Sequence, residues 1–397
     1  MEVIQSISDF IWGKLLVPLL LGTGLYLFIR LRFISLRKLP ESFKTLIGRY
    51  STKKDKGEIS YFQALATGLS ATIGIGNIAG VATAISLGGP GALFWMWVTA
   101  IVGMATRYTS AFLAVKYRKI DPDGSVRGGP MYYLTEGLNL KWLGIIFSIC
   151  TVIATLGIGN MVQTNTVASE LYDAFGVPKI VTGVIIGILV GLVIIGGIKR
   201  IGKVASALTP FMAIVYISGA LIVLCINYKN ILPTFKLIFL QAFSTTSAIG
   251  GFAGASVLFT IRMGVARGLF SNEAGLGSSP MIYAASKTDD PMKTGFISML
   301  GPFVDTIIVC TMTGLVIIST GMWNCGETGA VLTAKSFQSA LPYGRYIVTA
   351  GIILFAVSTC ISWSYYGDKG IEFLIGKKAI MPYRYVYIIA LPVGAIF

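Results

Sequence analysis

The stretch Ala71-Thr72-Ile73-Gly74-Ile75-Gly76-Asn77-Ile78-Ala79-Gly80 lies inside an apolar segment that is long enough to cross a bilayer, yet glycines and an asparagine interrupt its middle. In hydrocarbon, a backbone N–H or C=O group without a partner costs several kcal/mol. Glycine-rich unwinding at membrane depth therefore persists only where protein or a ligand supplies hydrogen bonds. We interpret the stretch as a broken transmembrane helix with a binding site at the break.

These glycines allow two other interpretations. Gly76 and Gly80 form a GxxxG pair, a spacing that often serves only the close packing of two helices, and this alternative stays open. The glycine spacing also resembles a dinucleotide-binding fingerprint, which requires an acidic residue about 20 positions later. After Glu58 the next carboxylate is Asp121, so we discard nucleotide binding.

The composition indicates a polytopic protein of the lipid bilayer. Of 397 residues, 54% are hydrophobic and only 12% are charged, and the mean hydropathy is +0.77, which excludes an ordinary soluble domain. Five cysteines lie mostly in apolar segments, which argues against a disulfide framework or a metal cluster. The absence of histidine removes the commonest metal ligand and proton carrier.

Apolar windows of about 17 to 25 residues predict about ten membrane spans, the tenth of which opens near residue 381. The predicted bounds of the first nine spans are 12–35, 61–88, 90–117, 142–168, 178–198, 204–226, 232–260, 294–320 and 345–366. The first span is expected to remain as an anchor rather than to be cleaved.

The loops predict the orientation of these spans. Basic residues cluster after every odd-numbered span, in segments 30–56, 116–141, 199–203, 262–293 and 369–384. The positive-inside rule then places the N-terminus outside the cell and these segments in the cytoplasm. Topology thus accounts for the net charge of +15 without a nucleic-acid partner.

An internal repeat links the second and seventh spans. Phe62-Gln63-Ala64-Leu65 and Leu240-Gln241-Ala242-Phe243 are each followed by a Ser/Thr-rich stretch and a glycine break, and the second break contains Gly250, Gly251 and Phe252. Because five spans separate the two, they enter the membrane from opposite sides. Matched interruptions in inverted halves indicate a secondary transporter with its site at the membrane midplane.

This repeat predicts three parts of the chain. Residues 1–60 form an N-terminal transmembrane helix and a basic cytoplasmic segment, 61–227 the first five-helix repeat, and 228–397 the inverted second repeat, incomplete at its C-terminal end. At the first break, the half-helix beginning near Asn77 directs unpaired N–H groups at the site, which suits a carboxylate. The preceding half ends in free carbonyls that suit Na⁺ or an ammonium group, so a zwitterion is favoured.

Three motifs carry a resemblance to a known family: 68–82 around the break, Gly128-Gly129-Pro130-Met131-Tyr132-Tyr133-Leu134, taken as a loop, and the segment 266–280. With them the chain resembles the alanine or glycine:cation symporters of bacteria and archaea. The resemblance implies an all-α polytopic membrane protein with the leucine-transporter fold, five plus five inverted helices after one extra N-terminal helix. It also implies sodium-driven uptake of alanine or glycine across the cell membrane. That family has eleven spans, so an eleventh is expected to be missing here.

The resemblance implies two sodium sites. Asn77 corresponds to the asparagine that holds the sodium ion beside the substrate carboxylate, although it could also cap the second half-helix. Ser358 and Thr359 resemble the hydroxyl pair of the other site, which the backbone carbonyls of Ser70 and Ile73 would complete. The alternative is that these hydroxyls bond back to their own helix.

The substrate would lie between the two breaks, against Thr72, Gly74, Gly76, Gly250, Gly251 and Phe252. Gln163 resembles a contact to the substrate's polar groups, or else holds helices together. Trp363, on the same helix face as Thr359, would wall a small pocket and exclude larger side chains, or would simply pack.

Three charged residues lie in the predicted spans or at their ends. Asp305 lies near the middle of a span, where a charge needs a partner; it is either a cation or proton partner or a structural pair with hydroxyl and amide groups. Arg107 and Glu273 are expected near the cytoplasm, with lipid or loop contacts favoured over a gating role.

The sequence therefore predicts a secondary active transporter, not an enzyme, that couples Na⁺ to a small neutral amino acid by alternating access and needs no cofactor. The first alternative is a proton-coupled amino-acid permease, for which Asp305 is the strongest titrating candidate. A channel would need a continuous polar pore, and an intramembrane enzyme would need paired catalytic groups.

Overall fold

The computed structural model describes residues 10–48, 56–244 and 257–397 and is built almost entirely of helices. The helices α1 to α17 follow in chain order as Val17–Arg30, Ile34–Arg37, Leu39–Ile47, Tyr61–Thr72, Ala79–Gly88, Ala92–Lys116, Pro130–Leu138, Lys141–Phe175, Lys179–Ile194, Gly197–Ile226, Tyr228–Phe243, Val257–Asn272, Pro280–Ala284, Pro291–Ser319, Gly329–Ala340, Gly344–Leu374 and Ile380–Ile396. A π-helical turn, Ile11–Leu16, leads into α1.

Several helices match the predicted membrane spans. Within the three described ranges, six helices are long and apolar enough to cross a membrane: α6, α8, α10, α14, α16, and α17 together with the 3₁₀ turn Lys377–Ala379 before it. A seventh span results if α4 and α5 are counted together. The helices α1 and α9 are apolar but shorter. The chain is therefore a multi-helix membrane protein, while ten spans and an inverted repeat stay predictions.

The broken helix predicted at the glycine run is confirmed as a bent helix pair. Helix α4 begins at a capping box, in which the Gln63 N–H donates to Ser60 Oγ (3.2 Å) and the Ser60 N–H donates to Gln63 Oε1 (3.0 Å). It ends at Thr72, a single 3₁₀ turn of Ile75–Asn77 follows, and α5 leaves at an angle of 61°.

Two long helices contain π-helical segments, which local sequence patterns do not predict. One covers Gly157–Met161 in α8 and the other Phe303–Cys310 in α14. Such segments widen the helix by leaving the regular hydrogen-bond ladder, and they are frequent at functional sites. The second segment contains Asp305, which it places in the interior of the helix bundle.

Some predicted boundaries were wrong. The seventh span was expected to end at residue 260, but α12 continues to Asn272, so Arg262 and Arg267 lie within a helix rather than in a loop. A hydropathy window stops at such charges, whereas the helix continues through them. The segment after Gly129, taken as a loop, begins a helix at Pro130, and α15 was not expected at all.

Helix α16 is the central element of the described fold. It packs against α4, α8, α10 and α15, and α6 packs against α12 and α14 on the other side of the break. Most of α16 is buried around its whole circumference, which is typical of a helix enclosed by other helices. The break between α4 and α5 is therefore enclosed between these two packed groups.

A short two-stranded hairpin follows α6. Strands β1 (Lys119–Ile120) and β2 (Val126–Arg127) pair antiparallel. The Val126 N–H donates to Glu58 Oε1 (2.9 Å), and Lys369 Nζ of α16 donates to the Val126 carbonyl (2.8 Å). The hairpin is thereby held against the start of α4 and the end of α16.

Lys377, which precedes α17, fastens the turn of the hairpin. Its Nζ lies 2.7 Å from Asp121 Oδ2 and 2.9 Å from Asp123 Oδ2. The hydrogen bond from Lys377, reinforced by Arg127, holds the pKa of the Asp121 carboxyl below its ordinary value. A lowered pKa means that the folded chain prefers the ionised carboxylate.

We expect Asp121→Asn to loosen this hairpin at pH 7. Each part-exposed ion pair is worth about 0.2–1 kcal/mol, so amide hydrogen exchange in residues 119–127 should become about two- to fivefold faster. In the unaltered chain the Asp121 contribution should be present above about pH 4 and lost as the pH falls through the lowered pKa. Asp173→Asn, at an exposed position of α8, is the control; equal exchange in both variants would contradict the anchoring role.

Candidate functional site

A cavity of 410 Å³ lies at the helix break, within the size range of about 300–1,000 Å³ that is usual for small-molecule sites. The break, the π-helical turn of α8, the end of α12 with the following loop, and α16 enclose it. The lining includes Thr72, Gly74, Gly76, Gln163, Phe270, Glu273, Ser278, Thr359, Trp363 and Tyr366.

A hydrogen-bonded junction around the fully buried Asp305 carboxylate lies beside this cavity. Asp305 Oδ1 accepts from Asn77 Nδ2 (2.7 Å), and Oδ2 accepts from Ser271 Oγ (2.8 Å) and Thr306 Oγ1 (2.8 Å). Cys310 Sγ lies 3.3 Å from both Asn77 Nδ2 and Ser271 Oγ. The carboxylate thus joins the break, α12 and the π-helical segment of α14.

Asn77 also closes the break itself. Its Oδ1 accepts the N–H of Gly74 at 2.9 Å, while its Nδ2 donates to the Asp305 carboxylate and, at 3.2 Å, to the Asp305 main-chain carbonyl. The side chain therefore caps the unwound turn. The alternative from the sequence was a cap at the start of α5. The predicted site residues Asn77 and Asp305 are brought into direct contact.

The residues proposed for the other sodium site also meet. Thr359 Oγ1 and Ser358 Oγ donate to the Ser70 carbonyl at 3.2 and 3.4 Å, and Ser70 Oγ donates to the Ser358 carbonyl at 2.8 Å. Ser358 Oγ also bonds back to the Phe355 carbonyl of its own helix at 2.9 Å, the alternative that the sequence left open. Ile73 follows Ser70 at the end of α4, with a fully buried side chain.

Gln163 and Trp363 both line the cavity. Gln163 Nε2 donates to the Ile158 carbonyl of its own helix (3.2 Å), but the buried Gln163 Oε1 has no hydrogen-bond partner among the described residues. Trp363 Nε1 donates to the Ala71 carbonyl (3.2 Å), so the indole fills the last turn of α4. As predicted, Trp363 and Thr359 share one face of α16.

Gly74 allows close approach of α16 to the break, whereas Gly76 leaves room for ordinary contact. A Cβ atom on Gly74 would lie 2.8 Å from Thr359 Oγ1 and 3.7 Å from Gln163 Oε1, and one on Gly76 would lie 3.5 Å from the Phe270 ring. Thr72 lines the cavity but donates back to the Gly68 and Leu69 carbonyls of its own helix. Gly250, Gly251 and Phe252 lie outside the described residues.

Two charged residues differ from expectation. Arg107 and Glu273 were expected in lipid or loop contacts, but both are buried inside the protein, and Glu273 lines the cavity. Glu273 accepts a hydrogen bond from Ser278 Oγ and has a left-handed backbone (φ 52°) directly after α12. From sequence, a charged residue after a helix end is predicted to be exposed. Its burial depends on the packing of other helices, which the local sequence does not show.

Several cavity and junction residues were missed, namely Phe270, Ser271, Ser278, Thr306 and Tyr366. Three of them belong to the motif 266–280, so the signal was present in the sequence. The motif carried the family resemblance, but of its residues only Glu273 was assigned possible roles. Within residues 10–48, 56–244 and 257–397, no cluster of three His, Cys, Asp or Glu side chains could hold a metal ion.

We expect the Asn77–Asp305 junction to be energetically coupled. Asn77→Ala should lower the free energy of unfolding by about 3 kcal/mol, because it removes a donor from a buried carboxylate. In Asp305→Asn no charge needs that donor, so the double variant should be less destabilised than the sum by about 1–2 kcal/mol. Denaturation in detergent measures this cycle.

Asn165→Ala, also on a helix of the described fold but outside this junction, is the control for losing an asparagine. Its effect should be within about 0.5 kcal/mol of zero and additive with Asp305→Asn. Strict additivity of Asn77→Ala and Asp305→Asn would contradict the coupled junction.

The bent helix pair, the buried polar junction and the enclosed cavity are the arrangement expected of a membrane transport protein. Solved structures share the fold. The protein MhsT, crystallised with L-phenylalanine, superposes with a TM-score of 0.56 over 86% of this chain and 80% of that chain, at 14% identity. The manganese transporter of Eremococcus coleocola gives 0.55 over 86% and 74%, also at 14% identity. These neighbours have the leucine-transporter fold, which confirms the expected fold type.

The chain belongs to the sodium:alanine symporter family, which matches residues 1–397. It is 47% identical to the sodium/alanine symporter AgcS of Methanococcus maripaludis, over 99% of this chain and 88% of that protein. It is 38% identical to the probable sodium/glutamine symporter GlnT of Bacillus subtilis, over 96% and 80%. The resemblance is thus confirmed: the family is one of transporters rather than enzymes, and Na⁺ is its coupling ion.

Proposed function

We propose that this chain takes up alanine or glycine together with Na⁺ by alternating access, in a cell membrane with its N-terminus outside. One observation supports this proposal most directly. Beside the cavity, the Asp305 carboxylate accepts hydrogen bonds from Asn77 of the first break and from Ser271 of α12. A cation held there would connect the two elements that must move together for transport.

The first sodium ion would be held at the Asp305 junction. A hard cation prefers several oxygen ligands, and Asp305, Ser271 and Thr306 offer a carboxylate and two hydroxyl oxygens within hydrogen-bond distance of one another. Rotation of the Asn77 amide would add its oxygen. The carboxylate charge makes this the stronger electrostatic attraction of the two proposed cation positions.

The second sodium ion would be held between α4 and α16. The Ser70 carbonyl already faces the hydroxyls of Ser358 and Thr359, and the carbonyl of Ile73, one turn later, would complete the set. All ligands here are neutral, so the site depends on the number of oxygens rather than on charge. Its ligands come from α16 and from the end of α4, which packs against α16.

The amino acid would lie in the cavity between these ions. Its carboxylate would face the N–H groups at the start of α5, together with Gly74 and Gly76, and its ammonium group would face the unpaired Gln163 Oε1. Trp363 and Phe270 would bound the side chain, so that only small ones fit. Thr72 and, in the second break, Gly250, Gly251 and Phe252 would complete the substrate contacts.

Binding of labelled L-alanine to the purified chain tests this proposal. We expect saturable binding in Na⁺ and little in choline, and Asn77→Ala and Ser358→Ala should each weaken it about 10- to 100-fold, since each removes a ligand worth about 1.5–3 kcal/mol. Asn165→Ala and Ser206→Ala, which lie away from the cavity, are matched controls and should bind like the unaltered chain.

Sodium-independent binding of alanine would contradict the symport mechanism. Uptake into proteoliposomes that persists without Na⁺ but stops when the proton gradient is collapsed would instead support the proton-coupled permease. Uptake that rises without saturation would support a channel. Competition by unlabelled glycine measures the relative preference for the two amino acids.

A further inference from the structure

Arg107 of α6 is a buried cation that no protein group satisfies. Its side chain is 1% exposed, and none of Nε, Nη1 and Nη2 has a hydrogen-bond partner among the described residues. No carboxylate of that part of the chain lies within ion-pair distance of it. Burying an unpaired charge costs several kcal/mol, so a purely structural arginine would be expected to have partners.

The surroundings of Arg107 are rich in donors. Arg107 Nη2 and the hydroxyl of Tyr283 lie 3.4 and 3.7 Å from the same point, the position that a Cβ atom on Gly301 would occupy. The hydroxyl of Tyr283 is also buried without a partner, as is that of Tyr366 on α16. A guanidinium and two phenols thus present N–H and O–H groups that have no hydrogen-bond partner among the described residues.

This donor cluster adjoins the cavity at the break. Tyr366 and Glu273 line the cavity wall, and both are close enough to Arg107 for electrostatic interaction. Arg107, Tyr283 and Gly301 lie behind that wall, towards the half of α6 that ends at the β1–β2 hairpin. By the positive-inside prediction this is the cytoplasmic side.

We infer that Arg107, Tyr283 and Tyr366 form a second, transient binding position for the carboxylate of the transported amino acid, on its route from the cavity to the cytoplasm. Guanidinium and hydroxyl donors match a carboxylate. The inference rests on the proposed function, because the carboxylate is that of the substrate.

Glu273 is a less suitable occupant of this position. Its carboxylate already accepts from Ser278 Oγ, and its backbone is fixed in a left-handed conformation at the end of α12. It lines the same cavity wall, where it would repel the substrate carboxylate and favour its passage to Arg107. Pairing of Glu273 with Arg107 in another state is the competing explanation that the experiment must exclude.

The test compares Arg107→Met and Arg107→Lys with the unaltered chain. Arg107→Met should keep sodium-dependent alanine binding within about threefold and should not lower the melting temperature, because it removes an unpaired buried charge. Its alanine efflux from proteoliposomes should fall about tenfold or more, as expected for losing charge-assisted hydrogen bonds of about 1.5–3 kcal/mol. Arg107→Lys should recover part of the efflux rate.

Propionate, which is alanine without its amino group, tests whether the group bound at Arg107 is a carboxylate. Propionate added to the lumen should slow alanine efflux in the unaltered chain but not in Arg107→Met, and an equal concentration of chloride should have no effect. Tyr283→Phe should weaken this inhibition, whereas Tyr172→Phe, at an exposed position of α8, should not.

Four results would overturn the inference: unchanged efflux in Arg107→Met, loss of its alanine binding, a lower melting temperature that Arg107→Lys restores, or equal propionate inhibition in both chains. Restored efflux in a Glu273→Gln/Arg107→Met double variant would establish the Glu273 pair instead. Absence of sodium-dependent binding in the unaltered chain would refute the proposed function itself, and the inference with it.

Discussion

The buried carboxylate of Asp305 is the constraint on which the centre of this structure depends. A charge in the interior of a helix bundle must receive hydrogen bonds, and here the donors come from Asn77, Ser271 and Thr306. Two of these residues belong to other helical elements than Asp305 itself. The elements at the break are therefore held in one arrangement by a single group, and a change at that group acts on all of them.

The unwound turn between α4 and α5 is stabilised from two directions. Asn77 satisfies the Gly74 N–H on the side of α14, and Trp363 and Thr359 of α16 satisfy the Ala71 and Ser70 carbonyls that α4 leaves free. The backbone of the break is thus partly satisfied by two different groups of helices. In the proposed mechanism, each cation would strengthen one of these two attachments, so that ion binding and helix position depend on each other.

The sequence predicted the elements whose signal is local. The glycine break, Asn77 at its centre and the shared face of Thr359 and Trp363 follow from residue spacing, and the structure contains them. The π-helical segment that turns Asp305 inward, the partner Ser271 and the burial of Glu273 depend on contacts between residues far apart in the chain. Spacing does not encode such contacts, although the motif 266–280 marked where they would be.

Asp305 and Arg107 are both buried charges, but their environments differ in kind. Asp305 has donors for both carboxylate oxygens, so it contributes to a defined arrangement of helices. None of the Arg107 nitrogens has a hydrogen-bond partner among the described residues, and the neighbouring phenols of Tyr283 and Tyr366 have none either. The amino acid of the proposed transport carries a carboxylate that could pass such a position. Unpartnered donors next to the cavity wall suit a passing carboxylate, because permanent pairing would remove the site from the route.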